Sequence, residues 1–127
     1  MKRKTGFTVI EILFVIAVTT AATILVISQK ETAEAVNRDQ ARKTAINAMY
    51  FQLTNVFYKQ NNYYPETISP EILSGMDPAL FTDPKKVYMG DTGSDYTYQP
   101  SDCDEGKCQK FKLTAILEKE AIYTKNN

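Results

Sequence analysis

Residues 7–27 read FTVIEILFVIAVTTAATILVI, 21 positions with a single ionisable side chain, Glu11. At the helical rise of 1.5 Å per residue they reach about 31 Å, the depth of a bilayer's hydrocarbon core. So long an apolar run predicts a membrane-spanning helix, and the rest of the chain must be read around it. Lys2, Arg3 and Lys4 precede the run, whereas the residues from Gln29 onward mix signs. The excess of positive charge places the N-terminus in the cytoplasm and everything after the run outside. Among 127 residues there is room for one exterior domain with a modest core.

Two simple accounts of the run meet difficulties. A cleaved secretory signal ending at Ala33-Glu34-Ala35 would normally have an apolar region of about 7–15 residues, and the polar stretch 28–34 separates this run from that site. A plain membrane anchor must explain Glu11, because a carboxylate costs about 2.5–3.5 kcal/mol at the centre of a membrane helix and less toward its end. One alternative for Glu11 is a carboxyl at the interface that meets only water and headgroups.

The order Lys2-Arg3-Lys4-Thr5-Gly6 followed by Phe7-Thr8-Val9-Ile10-Glu11 resembles the class III signal sequence of type IV pilins and of the pilin-like subunits of type II secretion systems. The resemblance implies cleavage after Gly6 by a membrane prepilin peptidase, N-methylation of Phe7, and Glu11 as the glutamate that stands fifth in the mature chain. It also implies an α+β fold, with a long N-terminal helix packed on a small antiparallel sheet in the ladle shape of that family. Many relatives carry a glycine and a proline inside the membrane segment. This chain has Thr20 and Ser28 near those places, so its helix is expected to be more continuous.

The spacing also has a physical reason. Glycine leaves the scissile bond unobstructed, and the basic residues hold it at the cytoplasmic face. Cleavage creates an α-amine. In a staggered array of parallel helices that amine can approach Glu11 of a neighbour, where opposite charges in an apolar setting attract strongly. Such a pair sets register more than it adds stability.

No glycine or proline occurs in residues 7–64, which predicts one helix ending near residues 60–62, where Asn61-Asn62-Tyr63-Tyr64-Pro65 brings turn formers and a proline. Ile46, Met49, Leu53, Val56 and Phe57 recur every three or four positions as an apolar stripe for a head domain. Glu34 with Arg38, and Asp39 with Lys43, are acid-before-base pairs four apart. They suit a solvated helix face, with bonds between subunits as the alternative. The expected organisation is a leader at 1–6, a membrane and filament-core helix at 7–28, an amphipathic outer half at 29–62 and a head at 63–127. Within the head a short helix is expected at 70–73, with strands at 86–89, 96–99, 111–117 and 121–124.

Cys103 and Cys108 lie between two of these strands and suit a disulfide closing a hairpin, with free thiols as the alternative. Two cysteines without histidine do not supply a structural zinc site. Residues 91–95, with Asp102, Asp104 and Glu105, could offer oxygens to calcium, but their spacing is not that of an EF-hand, and a solvated acidic loop is the favoured reading. The eight tyrosines could form an aromatic outer surface or be buried against the sheet; burial is the default.

The lack of histidine, metal-ligand clusters and phosphate-cradling glycine loops argues against an enzyme, and no cofactor is expected. Basic and acidic residues balance at 15 each, so direct nucleic-acid binding is not indicated. The leading expectation is a structural subunit of a pilus-like filament, stored as a single-pass precursor in the cytoplasmic membrane and then exported to the cell surface. Its partners would be further copies of itself, possible minor pilins, the prepilin peptidase and methyltransferase, the inner-membrane assembly machinery and, before assembly, lipid. The alternatives are a type II secretion or competence pseudopilin, and a monomeric membrane-anchored extracellular binding module.

Overall fold

The computed structural model describes residues 6–127, so Lys2, Arg3 and Lys4 of the basic leader lie outside the described residues. With both strong helix breakers absent, 43 consecutive residues form helix α1 (Val9–Phe51). The chain divides into two compact units, Met1–Glu34 and Ala35–Asn127. In the first, the described residues are helical from Val9 onward and every one of them is exposed.

In the second unit the apolar stripe of α1 covers a sheet. Ile46, Met49 and Leu53 are fully buried, as their spacing predicts, whereas Val56 and Phe57 are half-buried. The expected single helix is interrupted. Residues Gln52–Phe57 form a wider π-helical turn, in which the Tyr58 amide reaches back five residues to the Leu53 carbonyl. Helix α2 (Tyr58–Asn61) follows. The extra residue in that turn brings Phe57 and Tyr58 together toward the head. Tyr58 stacks on Tyr64 with ring centroids 4.7 Å apart, and Phe57 meets Tyr63 edge-on at 5.7 Å. Asn62 ends the helix in the left-handed conformation at φ 61°, its amide bonded to the Tyr58 carbonyl.

The sheet is antiparallel and four-stranded. β1 (Tyr64–Pro65) and β4 (Tyr123–Asn126) both pair with β3 (Lys107–Ala115), and β2 (Tyr96–Asp104) pairs with its other side. Phe111, Leu113 and Ala115 alternate inward, with Leu117 beyond the strand. The architecture is thus α+β, a long N-terminal helix with a small antiparallel sheet.

Several expected elements differ. Residues 70–75 form turns rather than a helix; the one-turn 3-10 helix is Pro78–Phe81, where the Asp77 carboxylate accepts the Ala79 amide at 2.9 Å and proline occupies the first position. Residues 86–89 contribute only an isolated bridge, Thr82 to Tyr88, because Lys86 adopts φ 67° and turns the chain. Residues 64–65, read as part of a turn, are a strand. The last strand begins at Tyr123 rather than at 121, since residues 118 and 119 are drawn to α1 by Asp39, as described below.

Between β1 and β4 the edge of β3 would be left open. The Asn127 side chain fills the gap, accepting the Phe111 amide at 2.8 Å and donating to the Gln109 carbonyl at 3.0 Å. Asn127→Ala leaves a buried amide without a partner and is expected to cost about 1–3 kcal/mol, read from the denaturant midpoint. No change in midpoint would mean that water replaces the side chain freely.

Candidate functional site: the N-terminal segment and a buried charge cluster

The N-terminal segment carries the residues that the sequence singled out. Gly6 and Phe7 precede the helix, and Phe7 is 83% exposed. Thr8 and Glu11 form a reciprocal cap. The Glu11 Oε2 accepts both the Thr8 amide at 2.8 Å and the Thr8 hydroxyl at 2.9 Å, while the Glu11 amide donates to the Thr8 Oγ1 at 3.4 Å. This is the Thr-x-x-Glu capping box, a signal present in the sequence and not used in reading it. Phe7, Ile10, Glu11, Phe14 and Val15 together line an open groove of about 430 Å³.

The remaining polar groups of the run satisfy themselves. The hydroxyls of Thr19, Thr20 and Thr23 donate to carbonyls one turn back at 2.8, 2.7 and 2.8 Å, and Ser28 donates to the Leu25 carbonyl at 2.9 Å. A hydroxyl spent on its own helix needs no water, so these residues are tolerated in lipid. With mean hydropathy 2.5 over its most apolar window and none of that window buried, the segment is long and apolar enough to cross a membrane.

In the second unit Arg42 is completely buried, and it gathers three carboxylates. Its guanidinium donates to Asp95 from two nitrogens at 3.0 and 2.8 Å, to Asp39 at 2.9 Å, and lies 2.9 Å from Glu118. Asp39, also buried, accepts the Glu118 and Lys119 amides at 2.8 Å each and so ties the β3–β4 connection to α1. Arg38 forks onto Glu118 at 2.8 and 2.7 Å, and Lys43 bonds Glu120. The expected pairs Glu34–Arg38 and Asp39–Lys43 are therefore replaced. Lys30 lies 3.8 Å from Glu34, and the other basic residues turn to the head. Distant carboxylates win because they are fixed by the fold, whereas a flexible pair on one helix gives up side-chain entropy to form.

Asp95, read as part of a solvated acidic loop, is buried and also holds Lys85 at 2.8 Å. Asp83 organises the preceding loop by accepting the amides of Lys85, Val87 and Asp95, each at 2.9 Å. Among the described residues no group of three or more candidate metal ligands occurs. Tyr64 and Tyr96 are buried; Tyr88 is exposed and the other tyrosines are half-buried.

Cys103 and Cys108 are joined and stand opposite each other across β2 and β3. The two-residue turn between the strands uses Glu105 at φ 47° and Gly106 at φ 77°, as a tight hairpin requires. Closing so short a loop contributes roughly 2 kcal/mol in the chain-entropy picture.

The cluster sets the acid limit of the head. Burial by itself would raise the Asp39 carboxyl, but the Glu118 and Lys119 amides and the Arg42 guanidinium outweigh it and hold the group below its ordinary 3.8. Asp83 is lowered in the same way, burial being overcome by the Asp95, Val87 and Lys85 amides. Hydrogen bonds from Arg38 and then Arg42 bring Glu118 from 4.5 to about 2. Between the lowered folded values and the ordinary unfolded ones, the unfolded chain binds more protons, so stability declines as pH falls. The denaturant midpoint is expected to begin falling near pH 4.5 and to continue falling toward about 2. A midpoint that rises over that interval would reverse the sign and refute the assignment. At the alkaline end, burial and the nearby Asp83 charge push Tyr96 up to about 12. Its contribution is present below the ordinary 10.0 and is lost as pH rises through the folded value.

No protein-family model, curated protein or solved structure matches the chain, and its long apolar helix, small antiparallel sheet and disulfide are compatible with a pilin-like fold.

Proposed function

We propose that the chain is a structural subunit of an extracellular type IV pilus-like filament. It is made as a membrane prepilin, cut after Gly6, methylated on the new N-terminus at Phe7 and polymerised through its N-terminal helix, with Glu11 setting the register. One observation carries this reading: the apolar run 7–27, exposed on every side, holds a single carboxylate, Glu11, the fifth residue after the Gly6–Phe7 bond. A surface apolar all round is stable only in lipid or against other helices. Glu11 Oε2 is engaged by Thr8, which leaves its second carboxylate oxygen for a donor from another subunit. The continuous α1, with Thr20 and Ser28 in place of breakers, suits a short pseudopilin-type assembly as well as a longer pilus.

The test is the N-terminal residue of the mature protein, read by mass spectrometry. Methylated Phe7 supports the reading; an intact Met1 or a start at Val36 refutes it. A second reading, a monomeric membrane-anchored module, draws support from the capping box, because a carboxylate satisfied by its own helix needs no partner from another chain.

A further inference from the structure

The phase of the β2–β3 ladder is set at two places. At one end the Ile116 amide donates to the Asp95 carbonyl at 2.9 Å; on the far side of β3 the Asn127 side chain occupies the Phe111 amide and the Gln109 carbonyl. Antiparallel strands alternate between residues that face their partner and residues that face away. Thr97 and Gln99, opposite Thr114 and Lys112, therefore turn their backbone groups to β3. Tyr96 C=O, both backbone groups of Tyr98 and Pro100 C=O point to the other side, where no strand pairs with β2 among the described residues. The Tyr96 amide is spent locally on the Ser94 hydroxyl at 3.2 Å. An open edge remains at Tyr98, closed in register by Pro100, which has no amide to donate.

A cavity of about 330 Å³ lies along this edge, walled by residues 66–68, 89–91 and 96–98. Met89 and Ile68 supply apolar surface. Glu66 and Asp91 are exposed on the walls, and neither carboxylate has a hydrogen bond or an ion pair among the described residues. Backbone donor and acceptor at strand spacing suit another backbone, and two unpaired carboxylates suit a cation.

We propose that this edge binds an extended peptide segment bearing lysine or arginine, added to β2 as a further strand. Its backbone pairs with the Tyr98 amide and carbonyl, its cationic side chain is directed to Glu66 and Asp91, and the alternate side chains meet Met89 and Ile68. The site needs only the folded head, so it stands or falls separately from polymerisation.

The probe is a blocked pentapeptide of alternating valine and lysine, titrated calorimetrically into the full-length protein in detergent micelles, with hydrogen exchange followed at the Tyr98 amide. The peptide is expected to bind and to slow that exchange. Its affinity should fall by about tenfold or more with Glu66→Gln/Asp91→Asn, and should be lost when the peptide's edge-facing amides are N-methylated. Both side chains are exposed, and the N-methylated peptide tests the pairing without altering the protein. Absence of binding, unchanged exchange at Tyr98, indifference to N-methylation, or equal affinity for a glutamate-for-lysine peptide would each overturn the proposal.

Discussion

Arg42→Ala is expected to lower the melting temperature of the head by on the order of 20 °C, followed by circular dichroism in detergent micelles. The guanidinium is completely buried and joins α1 to the loop before β2 and to the β3–β4 connection. Removing it leaves buried Asp39 with only the Glu118 and Lys119 amides and no cation, and buried Asp95 with Lys85 alone. Breaking a buried pair from one side costs about 3–5 kcal/mol, because the remaining charge has lost both water and partner. Arg42→Met keeps most of the volume and is expected to be nearly as damaging, which separates loss of charge from loss of packing. Adding Asp95→Asn to Arg42→Met should recover part of the loss by removing one of the two buried negative charges, since Lys85, its remaining partner, is exposed enough to return to water. A drop of less than about 5 °C for Arg42→Ala would mean that water enters and solvates the carboxylates, and that the cluster holds little together.

Glu11→Ala is expected to abolish surface filaments while leaving the precursor in the membrane, whereas Thr8→Val should leave filaments in place. Both substitutions weaken the same capping box, and a lost cap costs about 1 kcal/mol at the helix end. If Glu11 also meets the α-amine of a neighbouring subunit, its removal leaves that amine buried and unpaired. The penalty is then about 3–5 kcal/mol for each contact, more than about a hundredfold in subunit affinity. Filaments sheared from cells and counted by electron microscopy, with precursor measured by immunoblot, give the comparison. Equal and mild effects of the two substitutions would assign Glu11 to the cap alone and favour the monomeric anchor.

The apolar helix and the stripe at Ile46, Met49 and Leu53 were legible because helical periodicity is written within a few turns of chain. The alternation from Phe111 to Ala115 and the two-cysteine hairpin were legible for the same reason. The capping box at Thr8 and Glu11 was also local, and a search for Thr-x-x-Glu ahead of an apolar run finds it. The charged residues of α1 were not. Arg38 and Lys43 stand next to suitable acids on their own helix, yet they bond Glu118 and Glu120, some eighty positions away. The π-helical turn was hidden in the same way, since its extra residue fits the aromatic contacts that Tyr63 and Tyr64 make with Phe57 and Tyr58.

Chain order and residue type were enough to establish the apolar helix, its isolated acid and the small antiparallel sheet, because each depends on neighbours within a few positions. The partners of Asp39, Arg42 and Asp95, and the open edge of β2, depended on segments brought together by folding. A charge enters a core only where distant amides and opposite charges replace its water, and no local pattern in the chain records which ones will.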